Sequence, residues 1–119
     1  KIVLCTVKGD IHDMGKNILK MLMENYGYQV IDLGRDVEPE QVVEAVKKDH
    51  VQLCGLSALM TTTLPAMKET IELLHKETPW CKIVVGGAVL NAEYAKMVGA
   101  DYYAKDANQG VKIAEQVLG

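Results

Sequence analysis

A chain of 119 residues is long enough for one domain with a real core and too short for two. Its apolar fraction of 49% is ordinary for a globular domain. Its net charge of −3 offers no basic field for nucleic acid and no polybasic patch for a membrane, and no apolar run approaches the roughly 18 residues of a membrane span.

The first residues, Lys-Ile-Val-Leu-Cys-Thr, lack the layout of a signal peptide and read directly as a core strand. There is no initiator Met, so the expectation is a single domain, residues 1–119, excised from a longer cytoplasmic protein. Cys5 and Cys54 lie inside apolar runs and Cys81 stands just before one. No two are spaced for a zinc or thioredoxin motif, so we expect buried thiols and one surface thiol in a reducing compartment.

In chain order, apolar runs at 2–7, 29–33, 52–59, 82–85 and 101–104 read as strands. Helix-period patterns follow at about 15–26, 38–48, 63–77, 91–97 and 107–118. Gly27 closes the first helix and Gly34 the second strand. Pro39 falls in the first turn of the second helix, where a missing N–H costs nothing. Thr78-Pro79 stops the third helix, and Asn91 reads as an N-cap. Met21, Met23, Met60, Met67 and Met97 read as core filling.

Five β-α units in series imply a parallel sheet covered by helices on both faces. The fold expected is a flavodoxin-like, Rossmann-like three-layer α/β sandwich with strand order 2-1-3-4-5. Such sheets bind ligands at the carboxyl ends of the strands, at the switch point between strands 1 and 3. That order gathers Gly9 to Gly15, Ser57 to Thr63 and Gly86-Gly87 around one crevice.

The chemistry of that crevice is constrained by what is missing. There is no phosphate-binding glycine motif after strand 1, and Asp10 and Asp13 would repel a phosphate. A phospho-acceptor would need an Asp at the end of strand 3, where Ser57 stands. Zinc wants three or four protein ligands, yet His12 is the one histidine near the crevice. His50 and His75 read as solvated. An Asp10/His12/Asp13 site for magnesium or zinc stays open, although two ligands one residue apart rarely close a shell. A metal held by a macrocycle needs only one axial imidazole. Asp10 is then placed to fix that imidazole's tautomer and basicity.

Asp10-x-His12-x-x-Gly15, then Ser57-x-Leu59, then Gly86-Gly87, resembles the signature of the cobalamin-binding domain. The resemblance runs through nearly the whole chain, in order. Gly9 to Asn17, Asp32-Leu33-Gly34 and the closing stretch from Gly99 to Ala107 are similar to the methyl-carrying branch. That branch comprises methionine synthase and the corrinoid proteins of methylotrophic systems. Met14 stands where Ile is commoner, and Thr63 where methionine synthase has Ser. The helical domain that precedes this one in the family, and caps the cobalt, is not among the 119 residues.

The resemblance implies a corrinoid cofactor, methylcobalamin in the loaded state. His12 would be the metal ligand, displacing the cofactor's own base (base-off, His-on). Asp10 would accept from the other imidazole nitrogen and Thr63 would support Asp10. Ser57 and Thr61 would contact the nucleotide tail, Gly86 and Gly87 would line its slot, and Ala107 would close the far side. Gly9, Ile11, Asp13, Gly15 and Leu59 would complete the site. The implied role is a methyl carrier rather than a complete enzyme. Its partners would be methyl-donor and methyl-acceptor methyltransferases and a reductive activase, with no nucleic acid or membrane. An adenosylcobalamin-dependent isomerase subunit and a cobalamin-based sensor are the alternatives.

Overall fold

A computed structural model describes residues 1–119. Its elements are β1 (Ile2–Thr6), α1 (Met14–Asn25), β2 (Val30–Asp32), α2 (Pro39–Asp49), β3 (Leu53–Ser57), a 3-10 turn (Thr61–Thr63), α3 (Leu64–Glu77), β4 (Lys82–Gly86), α4 (Ala92–Val98), β5 (Tyr102–Tyr103) and α5 (Ala107–Leu118). The five strands form one parallel sheet in the order 2-1-3-4-5, as the alternation of strand and helix patterns predicts.

Alternate residues of the strands build the two faces. Ile2 and Leu4 of β1 point to a smaller core with Met23 of α1 and Val111 and Ala114 of α5. Val3 and Cys5 point to the larger core, which α2, α3 and α4 cover with Val42, Val46, Ile71, Leu74 and Val98. Each large side chain buried outright, such as Ile71 or Leu74, contributes about 1.5–3 kcal/mol. No helix is long and apolar enough to cross a membrane.

Local chemistry sets the ends of the elements. The Asn91 side chain caps α4 by accepting from the Tyr94 N–H, and Asp106 caps α5 by accepting from Gln109. α3 ends where the Thr78 hydroxyl donates back to the Leu74 carbonyl, just before Pro79. β3 stops at Ser57, two residues short of the apolar run that predicts it. The reason is that the N–H groups of Leu59 and Met60 leave the sheet to bond the carboxylate of Asp10. The register pairs Thr6 with Ser57 and Ser57 with Gly86, which lines these three residues up along the carboxyl edge.

Two sequence expectations fail here. Cys81 is not a surface thiol: it is buried at the rim of the larger core, so all three cysteines are enclosed. Met23 and Met67 fill the core, but Met21 and Met97 are 61% and 66% exposed. α1 buries the stripe through Lys16 and Met23, and a residue two positions from Met23 falls on the far side of a helix with about 3.6 residues per turn. Met97 stands in the same relation to buried Ala95. His50 and His75 are exposed as expected, with His50 stacked on Trp80 and His75 next to Asp101.

Candidate functional site

The site begins where β1 ends. The chain leaves the sheet after Val7 and passes through Gly9 at φ +87, a left-handed conformation that favours glycine. Asp10 then turns inward and is buried outright. Its Oδ1 accepts from the His12 N–H at 3.0 Å and lies 2.8 Å from His12 Nδ1. Its Oδ2 accepts from Leu59 N–H at 2.7 Å, Met60 N–H at 3.3 Å and the Thr63 hydroxyl at 3.0 Å.

Burial alone would raise the pKa of Asp10. The hydrogen bonds from the Leu59 and His12 backbone, the His12 ring and Thr63 outweigh it and hold the carboxyl well below the usual carboxylate range. An ionised carboxylate only accepts, so the network assigns the proton on His12 to Nδ1. In the neutral ring Nε2 then carries the free lone pair. No protein group bonds Nε2, and the His12 side chain is 45% exposed at the mouth of a cavity. Both oxygens of Asp10 are taken by protein donors, and one of them holds the His12 ring in place. No cluster of three or more His, Cys, Asp or Glu side chains is arranged around a metal position.

The cavity below His12 has a volume of about 420 Å³ and is mostly apolar. It runs between the carboxyl ends of β3 and β4 toward the start of α5, so Ser57, Leu59, Gly86, Gly87 and Ala107 all lie on its wall. Ser57 shares a 3.0 Å hydrogen bond with Thr6. Three glycines at this rim have different reasons to be glycine. A Cβ on Gly87, at φ +126, would collide with the carbonyl of Ala58, and one on Gly86 would sit 3.2 Å from the Ala104 carbonyl. Gly87 is thus required by the protein's own backbone, and Gly86 is crowded by it. A Cβ on Gly15 would meet nothing within 4 Å, yet Gly15 lines the cavity. Its missing side chain leaves room for something other than protein.

Some predicted site residues lie elsewhere. Thr61 is exposed in the 3-10 turn and does not reach the cavity. Ile11 is 60% exposed, and Asp13 sits at the start of α1 without a side-chain capping bond. Gly9 and Thr63 are off the cavity wall, and Thr63 acts through Asp10. Sequence reasoning passed over Lys16, which is buried at the cavity edge with Nζ 2.6 Å from Asp32 Oδ1. Burial raises the pKa of Asp32, but the Lys16 and Gly34 hydrogen bonds and the charges of Lys16 and Lys20 leave it below its ordinary value. The signal was present: Lys16, Leu19 and Met23 share one helical stripe, so a lysine stands at a core-facing position.

Residues 1–112 match the family profile described as the B12 binding domain. The chain belongs to the B12-binding domain family. A dimethylamine corrinoid protein of Methanosarcina mazei is 42% identical over 119 residues, 98% of this chain and 71% of that protein. Another, from Methanosarcina acetivorans, is 43% identical, covering 98% of this chain and 56% of its own length. Among solved structures, a cobalamin-binding protein from Desulfitobacterium hafniense superposes with a TM-score of 0.95 at 40% identity, over 99% of this chain and 58% of that one. The monomethylamine corrinoid protein of Methanosarcina barkeri superposes at 0.90 and 32% identity, over 98% and 57%. This chain thus spans little more than half of most of these relatives. A response-regulator receiver domain of Mycobacterium tuberculosis, with a TM-score of 0.68 at 14% identity over 99% of this chain and 96% of its own, shares the fold alone.

The cofactor of this B12-binding domain is cobalamin or a related corrinoid. The residues fit such a group. A free imidazole nitrogen stands at the rim, Gly15 leaves the floor of the rim clear, and an apolar cavity opens beneath.

Proposed function

We propose that this domain carries a methyl group on a corrinoid between a methyl-donor methyltransferase and a methyl-acceptor methyltransferase. The bound corrinoid supplies the cobalt that accepts and gives up the methyl group. The protein supplies His12 Nε2 as the axial ligand in place of the cofactor's own base. The reading is supported by one observation above the others: Asp10 ties Nδ1 of His12 and leaves Nε2 free over the cavity.

Each neighbouring group has a share in this. Asp10, ionised and fully bonded, fixes the ring's orientation and raises its basicity as a ligand. Thr63 holds Asp10 from behind. The cavity walls at Ser57, Leu59, Gly86, Gly87 and Ala107 receive the nucleotide tail and keep water from its base. Relatives named as dimethylamine corrinoid proteins, and the 36% identical chain in the methanol:cobalamin methyltransferase complex of Methanosarcina barkeri, favour the methyl-carrier role. That role calls for a reductive activase as a further partner. It also calls for a longer parent protein, with a helical segment before residue 1 to cover the other face of the corrinoid.

The test is reconstitution. The chain mixed with hydroxocobalamin is expected to bind it and to show the absorption of a protein-ligated, base-off corrinoid. His12→Ala is expected to lose that spectrum while the cavity retains weaker binding. Identical spectra and affinities for the two proteins would remove His12 from the site.

A further inference from the structure

The loop that carries His12 is held from two sides, and only one of them involves the Asp10 carboxylate. That carboxylate anchors the loop to the segment after β3, through Leu59, Met60 and Thr63. On the opposite side lie the end of β2, with Asp32, and the turn from β2 to α2, with Asp36. We propose that this stretch is a positioning clamp for His12, with Asp36 holding the amino end of its loop and Asp32, through Lys16, holding the carboxyl end. The inference rests on the reading of His12 as the axial ligand.

At the amino end, Asp36 Oδ1 accepts from the Gly9 N–H at 2.8 Å. The Asp36 N–H donates in turn to the Asp10 carbonyl at 3.0 Å. One residue thus grips the peptide that enters Gly9 and the peptide that leaves Asp10, through its side chain and its backbone. Asp36 does this at φ +55, a left-handed conformation that short polar residues such as Asp and Asn tolerate. The backbone next to it reinforces the grip: Thr6 N–H donates to the Gly34 carbonyl, and Val37 N–H to the Thr6 carbonyl.

At the carboxyl end, Lys16 follows Gly15 and its side chain is 3% exposed. A buried ammonium needs a partner, and Asp32 provides it at 2.6 Å. Asp32 is itself held by the Gly34 N–H at 2.8 Å. The first turn of α1 is thereby tied to the same stretch that grips Gly9. His12 lies between the two attachment points, so the backbone that carries its ring is tied on both sides, while Asp10 holds the ring itself. Ligation by a fixed imidazole depends on such placement, because a displaced ligand loses geometry as well as affinity.

The experiment uses two variants with readouts in both the free and the loaded protein. Asp36→Gly keeps the left-handed backbone and its N–H but removes the carboxylate, while Asp36→Asn keeps an acceptor. Amide exchange followed by NMR in the free protein is expected to accelerate about 10-fold or more at Gly9 in Asp36→Gly and to stay near wild type in Asp36→Asn. Hydroxocobalamin is expected to bind Asp36→Gly about 3- to 10-fold more weakly, with a smaller base-off, protein-ligated fraction, since outer supporting partners typically carry effects of this order or larger. Breaking the buried pair singly endangers folding, so the other end is tested with Lys16→Met/Asp32→Asn, which keeps an acceptor for Gly34. Unchanged exchange at Gly9 and an unchanged spectrum in Asp36→Gly would overturn the amino-end grip, and an unchanged spectrum in the double variant the carboxyl-end grip. A His12→Ala spectrum equal to wild type would instead sink the ligation reading, while the exchange rates in the free protein still decide whether the clamp holds the loop.

Discussion

Gly15 offers a substitution in which stability and binding should move in opposite directions. A methyl group there meets nothing within 4 Å, and the residue lies in the first turn of α1 without a positive φ. Replacing glycine by alanine in a helix gains about 0.5–1 kcal/mol, with the lower end fitting a position so near the helix start. For a domain of 119 residues, about 0.5 kcal/mol is worth roughly 2 °C in Tm. Gly15 lines the cavity, so on the proposed reading the same methyl would occupy space that the corrinoid needs. Overpacking typically costs about 1–3 kcal/mol, which lowers affinity by about 5- to 150-fold. The assays are thermal melting of the free protein by circular dichroism and absorbance titration with hydroxocobalamin. Gly15→Ala is expected to raise Tm slightly and weaken binding. A variant that binds as tightly as wild type would show that the corrinoid does not pass over Gly15, and the fit described for the rim would be wrong.

Gly87→Ala should behave differently, because its Cβ collides with the Ala58 carbonyl: the free protein is expected to lose Tm before any cofactor is added. Thr63→Val removes a donor from the buried Asp10 carboxylate and is expected to cost about 1.5–3 kcal/mol in urea unfolding, whereas Thr63→Ser keeps the hydroxyl and most of the stability. Burial pushes the Cys5 and Cys81 thiols up to about 12 and Cys54 well above its ordinary value. The native protein is therefore expected to be inert to a thiol reagent at pH 8, with three thiols appearing only in denaturant. Asp10 has a folded-state pKa lowered from 3.8, so its contribution to stability is complete above that value and is lost as pH falls below it toward the folded-state pKa. The difference in urea midpoint between wild type and Asp10→Asn is expected to be flat from neutral pH to about pH 5 and to shrink below about pH 4. A gap that grows in acid would contradict the assigned direction.

The fold was legible in the sequence because strand and helix patterns alternate without a break; of the two doubly wound strand orders open to such a chain, five units favoured the one observed. The Asp10–His12 pair and the support from Thr63 were legible through a resemblance that covers nearly the whole chain. What escaped the sequence was set by three-dimensional contacts. The glycines at 86 and 87 suggested room for a ligand, yet their neighbours are the protein's own carbonyls at Ala104 and Ala58. Gly15, read from the sequence as clearing space along with those two, is the one of the three with open space around it. Lys16 and Asp32 are 16 positions apart in sequence, and their pairing depends on α1 lying back over β1 and β2. Asp36 reads as an ordinary loop residue until the neighbouring loop is seen to end on it. Helix period alone would have put Met21 on the outer face of α1, but apolarity suggested burial. Cys81 was misplaced because the residue before a strand is as easily covered as exposed.

The central claim, that His12 supplies the axial nitrogen, is tested most directly by electron paramagnetic resonance of the cob(II)alamin form bound to the protein. Ordinary cobalamin is loaded into protein labelled with nitrogen-15 in its histidines. If Nε2 of His12 coordinates cobalt, the superhyperfine pattern changes from the triplets of nitrogen-14 to the doublets of nitrogen-15, and His12→Ala abolishes the change. Triplets that persist in the labelled protein would mean that the nitrogen belongs to the cofactor's own base, and the base-off, His-on account would be contradicted.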